Sequence, residues 1–393
     1  MKHIVIIGGG FGGIRTARKL RKNKNVKVTV VNEKEDFRYC PALYRAATGY
    51  KMGTARLPIE WMLLDSNNAD IEINKATQID PDTNTITLAD ESSLSYDYAV
   101  LALGSVTTYF SIDGLHDHSF GIKTVEEIIE LREHVHEVLT DRNEAEQNYV
   151  VIGAGPTGVE LAAALGSYLQ NISKKHNTSA DNITIWLVEG QDRVLPQLNP
   201  KASKLAHKRL EKLGVRIELD TMVKSETLHT LDTSHGRIKT HTVVWTAGTT
   251  NNPFYKENED HFKINDNRKI EVNDHLQTHD DVYVIGDNAN TKHSGTALTA
   301  IRHGTFVAKD INARIKGTHR PSDYEQSSIH IVPVGPGWAI MNYKNLAIGG
   351  IGVYWLRRIA DYMGYSDVLG YYRALTIWSN SSRHETDCIV CAS

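Results

Sequence analysis

Two glycine triplets carry the most legible chemistry in this 393-residue chain: Gly8, Gly10 and Gly13, then Gly153, Gly155 and Gly158, each at G-x-G-x-x-G spacing. Between a strand and a helix, the first glycine of such a triplet permits a tight turn. The second leaves no Cβ where a pyrophosphate approaches the backbone, and the third lets helix and strand pack closely. The helix start adds unpaired N–H groups and a partial positive charge. The chemistry is the binding of two dinucleotides. Each triplet is followed by an acid placed for ribose hydroxyls: Glu33, with Asn32 as a polar alternative, and Glu189. Glu189 would repel a 2′-phosphate and no arginine follows it at once, which favours NADH over NADPH. Asp287, after an apolar run ending in Gly286, is placed to accept a hydrogen bond from a polyhydroxyl ligand.

The elements that must hold these residues follow from hydrophobic pattern. Residues 3–7 and 26–31 read as strands flanking a basic helix, and 149–152 and 183–188 repeat the arrangement, with a polar insert at 173–182. Residues 71–103 read as β structure around the turn Asp80-Pro81-Asp82, ending in an apolar strand at Gly104. Residues 243–248 end likewise in Gly248. A short helix is expected over 207–214, and one over about 296–311 whose start at Ala297 faces the Asp287 site. The fold class is α/β with two Rossmann-like dinucleotide-binding domains and a small C-terminal helical segment that meets a membrane surface or a second subunit. The expected domains are 1–115 with 275–335, then 116–274, then 336–393.

Composition bounds the function. Hydrophobic residues make up 40% and charged residues 23%, with a formal net charge of -3, which argues against a nucleic-acid binder. Three cysteines cannot build a disulfide framework, the chain starts directly in a strand, and no run reaches eighteen apolar residues, so a cytoplasmic protein is expected. Eighteen histidines show no metal-ligand spacing, and no metal is expected. Cys40, in the segment 36–49 that would line the far end of a bound cofactor, reads either as a small buried thiol or as a redox thiol. Cys388 and Cys391 form a C-x-x-C without partner ligands and read as part of a mobile, non-catalytic tail. Residues 338–378 hold nine Trp or Tyr beside Arg357, Arg358 and Arg373, with Ser366-Asp367 as an expected N-cap before a helix carrying Val368, Tyr371, Tyr372, Leu375 and Trp378. Such a helix suits a lipid interface, a dimer contact or a cover for the core.

The two glycine folds, the strand ends Ala-Leu-Gly104 and Thr-Ala-Gly248, and the run to Asp287 resemble the two-dinucleotide-binding-domain flavoprotein superfamily. Within it, Pro41-Ala-Leu-Tyr44 with Ala47-Thr-Gly49, Leu101 to Thr107, and Gly155-Pro-Thr-Gly-Val-Glu160 resemble the type II NADH dehydrogenases, single-chain FAD enzymes that reduce quinone at a membrane face. The resemblance runs to about Ser322 and more loosely into the tail. It implies FAD at Gly8, Gly10, Gly13, Asn32 or Glu33, Gly104, Asp287 and Ala297, and NADH at Gly153, Gly155, Gly158, Glu189 and Gly248. Glu160 would lie near nicotinamide and flavin, in substrate binding or proton supply. Two glutamines of the family's quinone-site helix are replaced here by Leu298 and Arg302, and Arg302 is the candidate to stabilise a semiquinone or a flavin anion. The resemblance further implies a homodimer, peripheral on the inner face of the cell membrane. The alternatives are a soluble NADH oxidase, peroxidase or disulfide reductase using Cys40, and a flavin-dependent redox sensor with little turnover. A sulfide:quinone reductase would need a cysteine pair near the flavin.

Overall fold

The computed structural model describes residues 1–140, 146–178, 182–324 and 329–385, so Cys388 and Cys391 lie outside the described residues. The chain opens with strand β1 (Lys2–Ile7), helix α1 (Phe11–Leu20) and strand β2 (Val26–Asn32). Helix α2 (Leu43–Ala47), strand β3 (Ala69–Ile73) and strand β4 (Tyr98–Leu101) follow. Helix α3 (Val125–Thr140) leads into a second run of β5 (Asn148–Ile152), α4 (Pro156–His176), β6 (Thr184–Val188), α5 (Pro200–Lys212), β7 (Val215–Glu218) and β8 (Thr242–Trp245). The chain then returns through β9 (Gln277–His279), β10 (Val282–Val284) and helix α6 (Ala297–Lys316). It closes with strands β11 (His330–Pro333), β12 (Ala339–Tyr343) and β13 (Leu346–Gly350) and the helix pair α7 (Ile351–Leu369) and α8 (Tyr371–Asn380).

Two parallel sheets organise these elements. The first has the order β9-β10-β4-β1-β2-β3, with only β9 antiparallel to its neighbour. The second, β7-β6-β5-β8, is parallel throughout. Strands covered on both faces need apolar residues at every position, and Ile4 to Ile7, Tyr98 to Leu101 and Tyr149 to Ile152 are all buried. Antiparallel strands at 105–107 and 249–251 tie the two units together.

Helices α1 and α6 run side by side. A Cβ at Gly304 would collide with the Gly12 carbonyl, and Thr16 Oγ1 donates to Gly12 O at 2.8 Å and Gly304 O at 3.3 Å. Both helix starts therefore converge on the carboxyl edge of the first sheet.

Three helical expectations and the place of one acid need correction. The helix expected over 207–214 begins at Pro200, because Asn199 caps it by accepting from the Ala202 N–H at 2.9 Å and Pro200 suits the first helical position. Helix α6 runs past 311 to Lys316 and stops at Gly317, whose φ of 63° ends it. In the tail, Ser366 and Asp367 do not cap a helix. They lie inside α7, where Ser366 Oγ bonds back to Tyr362 O at 2.8 Å, and the break comes at Gly370, with φ of 82°. Strand β2 ends at Asn32, so Glu33 falls just outside it.

Candidate active site

The two glycine loops are built alike. Gly8 and Gly153 take φ of 104° and 95°, a region L side chains avoid. A Cβ at Gly13 would strike the Gly8 carbonyl, and one at Gly158 the Gly153 carbonyl. Gly10 and Gly155 instead face open space: nothing lies within 4 Å of an added Cβ. Each also starts a helix without a side-chain cap, leaving the first N–H groups of α1 and α4 for a ligand.

Strand register extends the correspondence to the residues after each second strand. Ile7 pairs with Val31 and Ile152 with Val188, so Asn32 is the counterpart of Glu189. Their bonds agree: Asn32 Oδ1 accepts from the Gly9 N–H at 2.8 Å, and Glu189 Oε2 from the Ala154 N–H at 2.6 Å. Asn32 Nδ2 also donates to Lys34 O, so its whole amide braces the loop, while Glu33 stands exposed beside it.

Gly104 takes φ of 68° and, like Gly10, has nothing within 4 Å of an added Cβ; its neighbour Ser105 leads to Asp287. The Asp287 carboxylate accepts from Ser105 Oγ at 3.1 Å, and Lys269 Nζ donates to the Asp287 carbonyl. Below it, the Gly286 N–H donates to Nδ1 of buried His303 at 3.2 Å. Burial pushes this histidine down to about 4, so it stays neutral and accepting. Ala297 occupies the first turn of α6, where Thr296 Oγ1 caps the helix by accepting from Thr299 N–H at 3.2 Å. Leu298 is exposed and half-buried Arg302 lies one turn beyond it. Gly248 follows β8, with its carbonyl accepting from Thr108 N–H.

Lys123 was not legible as a site residue. Its Nζ donates to Ser105 O at 3.2 Å and Oγ at 3.3 Å, completing a chain from Lys123 through Ser105 to Asp287. Burial lowers its proton affinity, opposed by the Asp287 charge. The one local signal is the T-x-x-E cap of α3: Glu127 Oε2 accepts from the N–H groups of Lys123 and Thr124, and Thr124 Oγ1 from that of Glu127. Cys40 is exposed rather than lying in the core. Protein crowded around it raises the affinity of the thiol for its proton, with Asp287 adding to the effect and Arg38 and Lys123 opposing it.

Glu160 sits one turn inside α4, its side chain 12% exposed and its Oε1 3.9 Å from Arg357 Nη1. Burial raises its pKa to about 7, against the pull of Arg357 and Arg45. Arg357 Nε reaches Asp361 Oδ1 at 3.0 Å, and Asp361 Oδ2 takes Arg45 Nη1 at 2.8 Å. Helices α2, α4 and α7 thus meet in one buried ionic cluster; the sequence points to Glu160 and places Arg357 only among the tail cations, and it singles out neither Arg45 nor Asp361. A carboxyl that titrates near neutrality can hold or release a proton. Glu160 and Arg302 stand on different helices, α4 and α6.

The residues present fit an FAD. The open space at Gly10 and the uncapped start of α1 suit a pyrophosphate, the open space at Gly104 suits close approach of a ligand, and the Asp287 carboxylate can accept from ligand hydroxyls. The second loop offers the same cradle to a second dinucleotide.

Residues 2–304 match the family model described as pyridine nucleotide-disulphide oxidoreductase. The type II NADH:quinone oxidoreductase NdhA of Mycobacterium tuberculosis is 30% identical over 345 residues, 81% of this chain and 73% of that protein. The type II NADH:quinone oxidoreductase of Staphylococcus aureus is 25% identical over 340 residues, covering 80% and 83%. Among solved structures, NDH2 of Plasmodium falciparum in complex with NADH superposes with a TM-score of 0.87 at 15% identity over 99% of each chain. The sulfide:quinone oxidoreductase of Aquifex aeolicus gives 0.80 at 20% identity over 99% and 98%.

Proposed function

The chain belongs to the pyridine nucleotide-disulphide oxidoreductase family and, within it, to the type II NADH:quinone oxidoreductases, and from that premise we propose how its residues serve the transfer from NADH through FAD to quinone. FAD, when bound, supplies the hydride acceptor and two-electron donor that no side chain can provide. Gly8, Gly10 and Gly13 with the start of α1 hold its pyrophosphate, Glu33 beside the Asn32 brace takes the ribose, and Gly104, Asp287 and Ala297 hold the rest. Lys123, through Ser105, fixes the Asp287 carboxylate. Gly153, Gly155, Gly158, Glu189 and Gly248 hold NADH. The two domains are 1–115 with 275–335 for FAD, and 116–274 for NADH. The observation that carries this reading is the residue-for-residue repetition of the glycine loop and its brace in the two sheets.

Quinone reduction consumes protons, and Glu160, titrating at about 7 in a buried cluster, supplies one. Burial raises its proton affinity, Arg357 tempers that rise, and Asp361 holds Arg357 in place. Arg302 takes the polar contact to the quinone that a glutamine makes in similar enzymes.

Helix α7 explains where the quinone is met. It packs Val353, Tyr365, Val368 and Leu369 inward together with Arg358 and Asp361, yet still exposes Ile351, Trp355, Leu356, Ile359 and Met363 as a large apolar face, while α8 exposes Tyr371, Tyr372 and Leu375 beside Arg373. Among the described residues no helix is long and apolar enough to cross a membrane. We place this helix pair in the surface of the inner face of the cell membrane, where aromatic and aliphatic side chains enter lipid.

The Cys40 reading is weaker because a redox thiol must ionise near neutral pH, and this one is pushed the other way. Steady-state turnover with NADH and a soluble quinone separates the two. Cys40→Ser is expected to keep full activity, and a loss of activity would favour the thiol enzyme.

A further inference from the structure

The carboxyl ends of α1 and α6 finish together, on the side away from the flavin cleft. Arg15 Nε meets Thr305 Oγ1 at 2.9 Å and Asn23 Nδ2 meets Asn312 Oδ1 at 2.6 Å, so the helices stay in step to their last turns. Between them lies an open groove of about 580 Å³. Lys19, Lys22 and Lys24 form one rim, Lys309 and Lys316 the other, and residues 318–321 close it. No aspartate or glutamate lines it among the described residues, in a chain whose net charge is -3.

Helix dipoles do not account for this cluster. A helix end favours cations in its last turn, which covers Lys19 and Lys316, whereas Lys22 and Lys24 lie beyond α1 and Lys309 precedes the last turn of α6. The lysines repel one another. The proton affinity of Lys19 is lowered first by Arg15, then by burial, Lys22 and Lys309, with Asp367 alone opposing. A bound polyanion would relieve that repulsion.

The groove is continuous with the apolar helix pair. Arg15, one turn before Lys19 on α1, pairs with Asp367 of α7 at 2.9 Å, and Arg18 Nη1 donates at 2.7 Å to the carbonyl of Met62, in the short helix that lies under α7. Helix α1, which carries Lys19, is thereby tied to helix α7, which presents Trp355 and Met363 on its exposed face. We propose that the α1–α6 lysine groove binds the phosphate headgroups of anionic lipids, fixing the orientation of the enzyme on the membrane. The proposal rests on the membrane placement of α7 and α8 and adds a headgroup preference to it.

The test is vesicle flotation of the flavin-loaded full chain, with phosphatidylcholine alone or with one third phosphatidylglycerol. The wild type is compared with a variant carrying Lys19→Gln, Lys22→Gln, Lys309→Gln and Lys316→Gln, whose bound flavin and turnover with soluble quinone report an intact fold. The wild type is expected to bind anionic vesicles at least about tenfold more tightly, since each lysine near such a surface adds attraction. Salt should erase that preference, and the variant should lose it while keeping its binding to phosphatidylcholine. A variant that keeps the full preference overturns the groove and leaves the membrane placement standing. Equal wild-type binding to both vesicles does the same. A wild type that floats with neither overturns both. Tripolyphosphate binding to the wild type but not the variant, without vesicle preference, overturns the proposal in favour of a soluble polyanion.

Discussion

Glu160 takes up its proton at about 7 in the folded chain, against an ordinary value of 4.5. Between those values the folded state binds more protons than the unfolded one, so stability falls as pH rises through this window, by about 3 kcal/mol in all. Glu160→Gln removes the penalty. Urea denaturation is expected to show the variant gaining on the wild type from pH 5 to 8, while quinone turnover drops about 100-fold and loses its limb near pH 7. A variant with the wild-type pH profile would remove Glu160 from proton supply. The glycines were legible because their requirement is local: a turn, an approach and a packing contact encoded within six residues. The ionic cluster was not, because its residues are far apart in the chain. Arg45 and Asp361 meet across 316 positions; the apolar neighbours Leu43, Tyr44, Ala46 and Ala47 point to a buried segment, but nothing local names the partner of Arg45.

At the scale of elements, the equivalence of Asn32 and Glu189 needed strand register, since sequence spacing alone pointed to Glu33. Asn32→Ala leaves the Gly9 N–H without its acceptor, at about 1–3 kcal/mol, and is expected to weaken FAD retention on gel filtration more than Glu33→Ala does. Glu189→Ala should raise the KM for NADH about tenfold with kcat unchanged, the mark of binding lost equally in ground and transition states. The turn that presents Asp287 hangs on His303. Because the folded histidine has the lower proton affinity, about 4 against 6.5, its contribution is complete above pH 6.5 and is lost as pH falls toward 4. Acid release of flavin, followed by its fluorescence in the filtrate, is expected to set in below about pH 5 and to move upward in pH in His303→Phe. Retention unchanged in that variant would contradict the role. The parallel strands and their order of appearance were legible from apolar runs ending in glycine. The break in the tail was not, because Ser366-Asp367 is a good cap in isolation and only Gly370, one residue past the last apolar contact of α7, fits the reversal of the chain.

The whole molecule joins two nucleotide cradles to a helix pair with a large exposed apolar face. Its outward residues include Trp355 at 57%, Ile359 at 54% and Met363 at 64% exposure. Burying such side chains gains about 1.5–3 kcal/mol each when complete, enough together to hold the enzyme at a lipid surface. Replacing all three with serine is expected to abolish vesicle binding while leaving turnover with a soluble quinone within about twofold. Loss of a dimer in sedimentation, with vesicle binding intact, would instead assign the face to a second copy of the chain. Length and aromatic content announced this segment, but only the packed structure shows which of its apolar side chains stay outside while Arg358 and Asp361 are buried.

The central claim is a relay from NADH through flavin to quinone with no protein nucleophile. The most direct measurement is anaerobic: NADH is added to the flavin-loaded protein, then a soluble quinone, while flavin absorbance is followed. The relay predicts rapid bleaching by NADH, slower bleaching by NADPH, and rapid return on quinone, all preserved in Cys40→Ser. Bleaching that quinone does not reverse, or a long-wavelength band that disappears in Cys40→Ser, would contradict it.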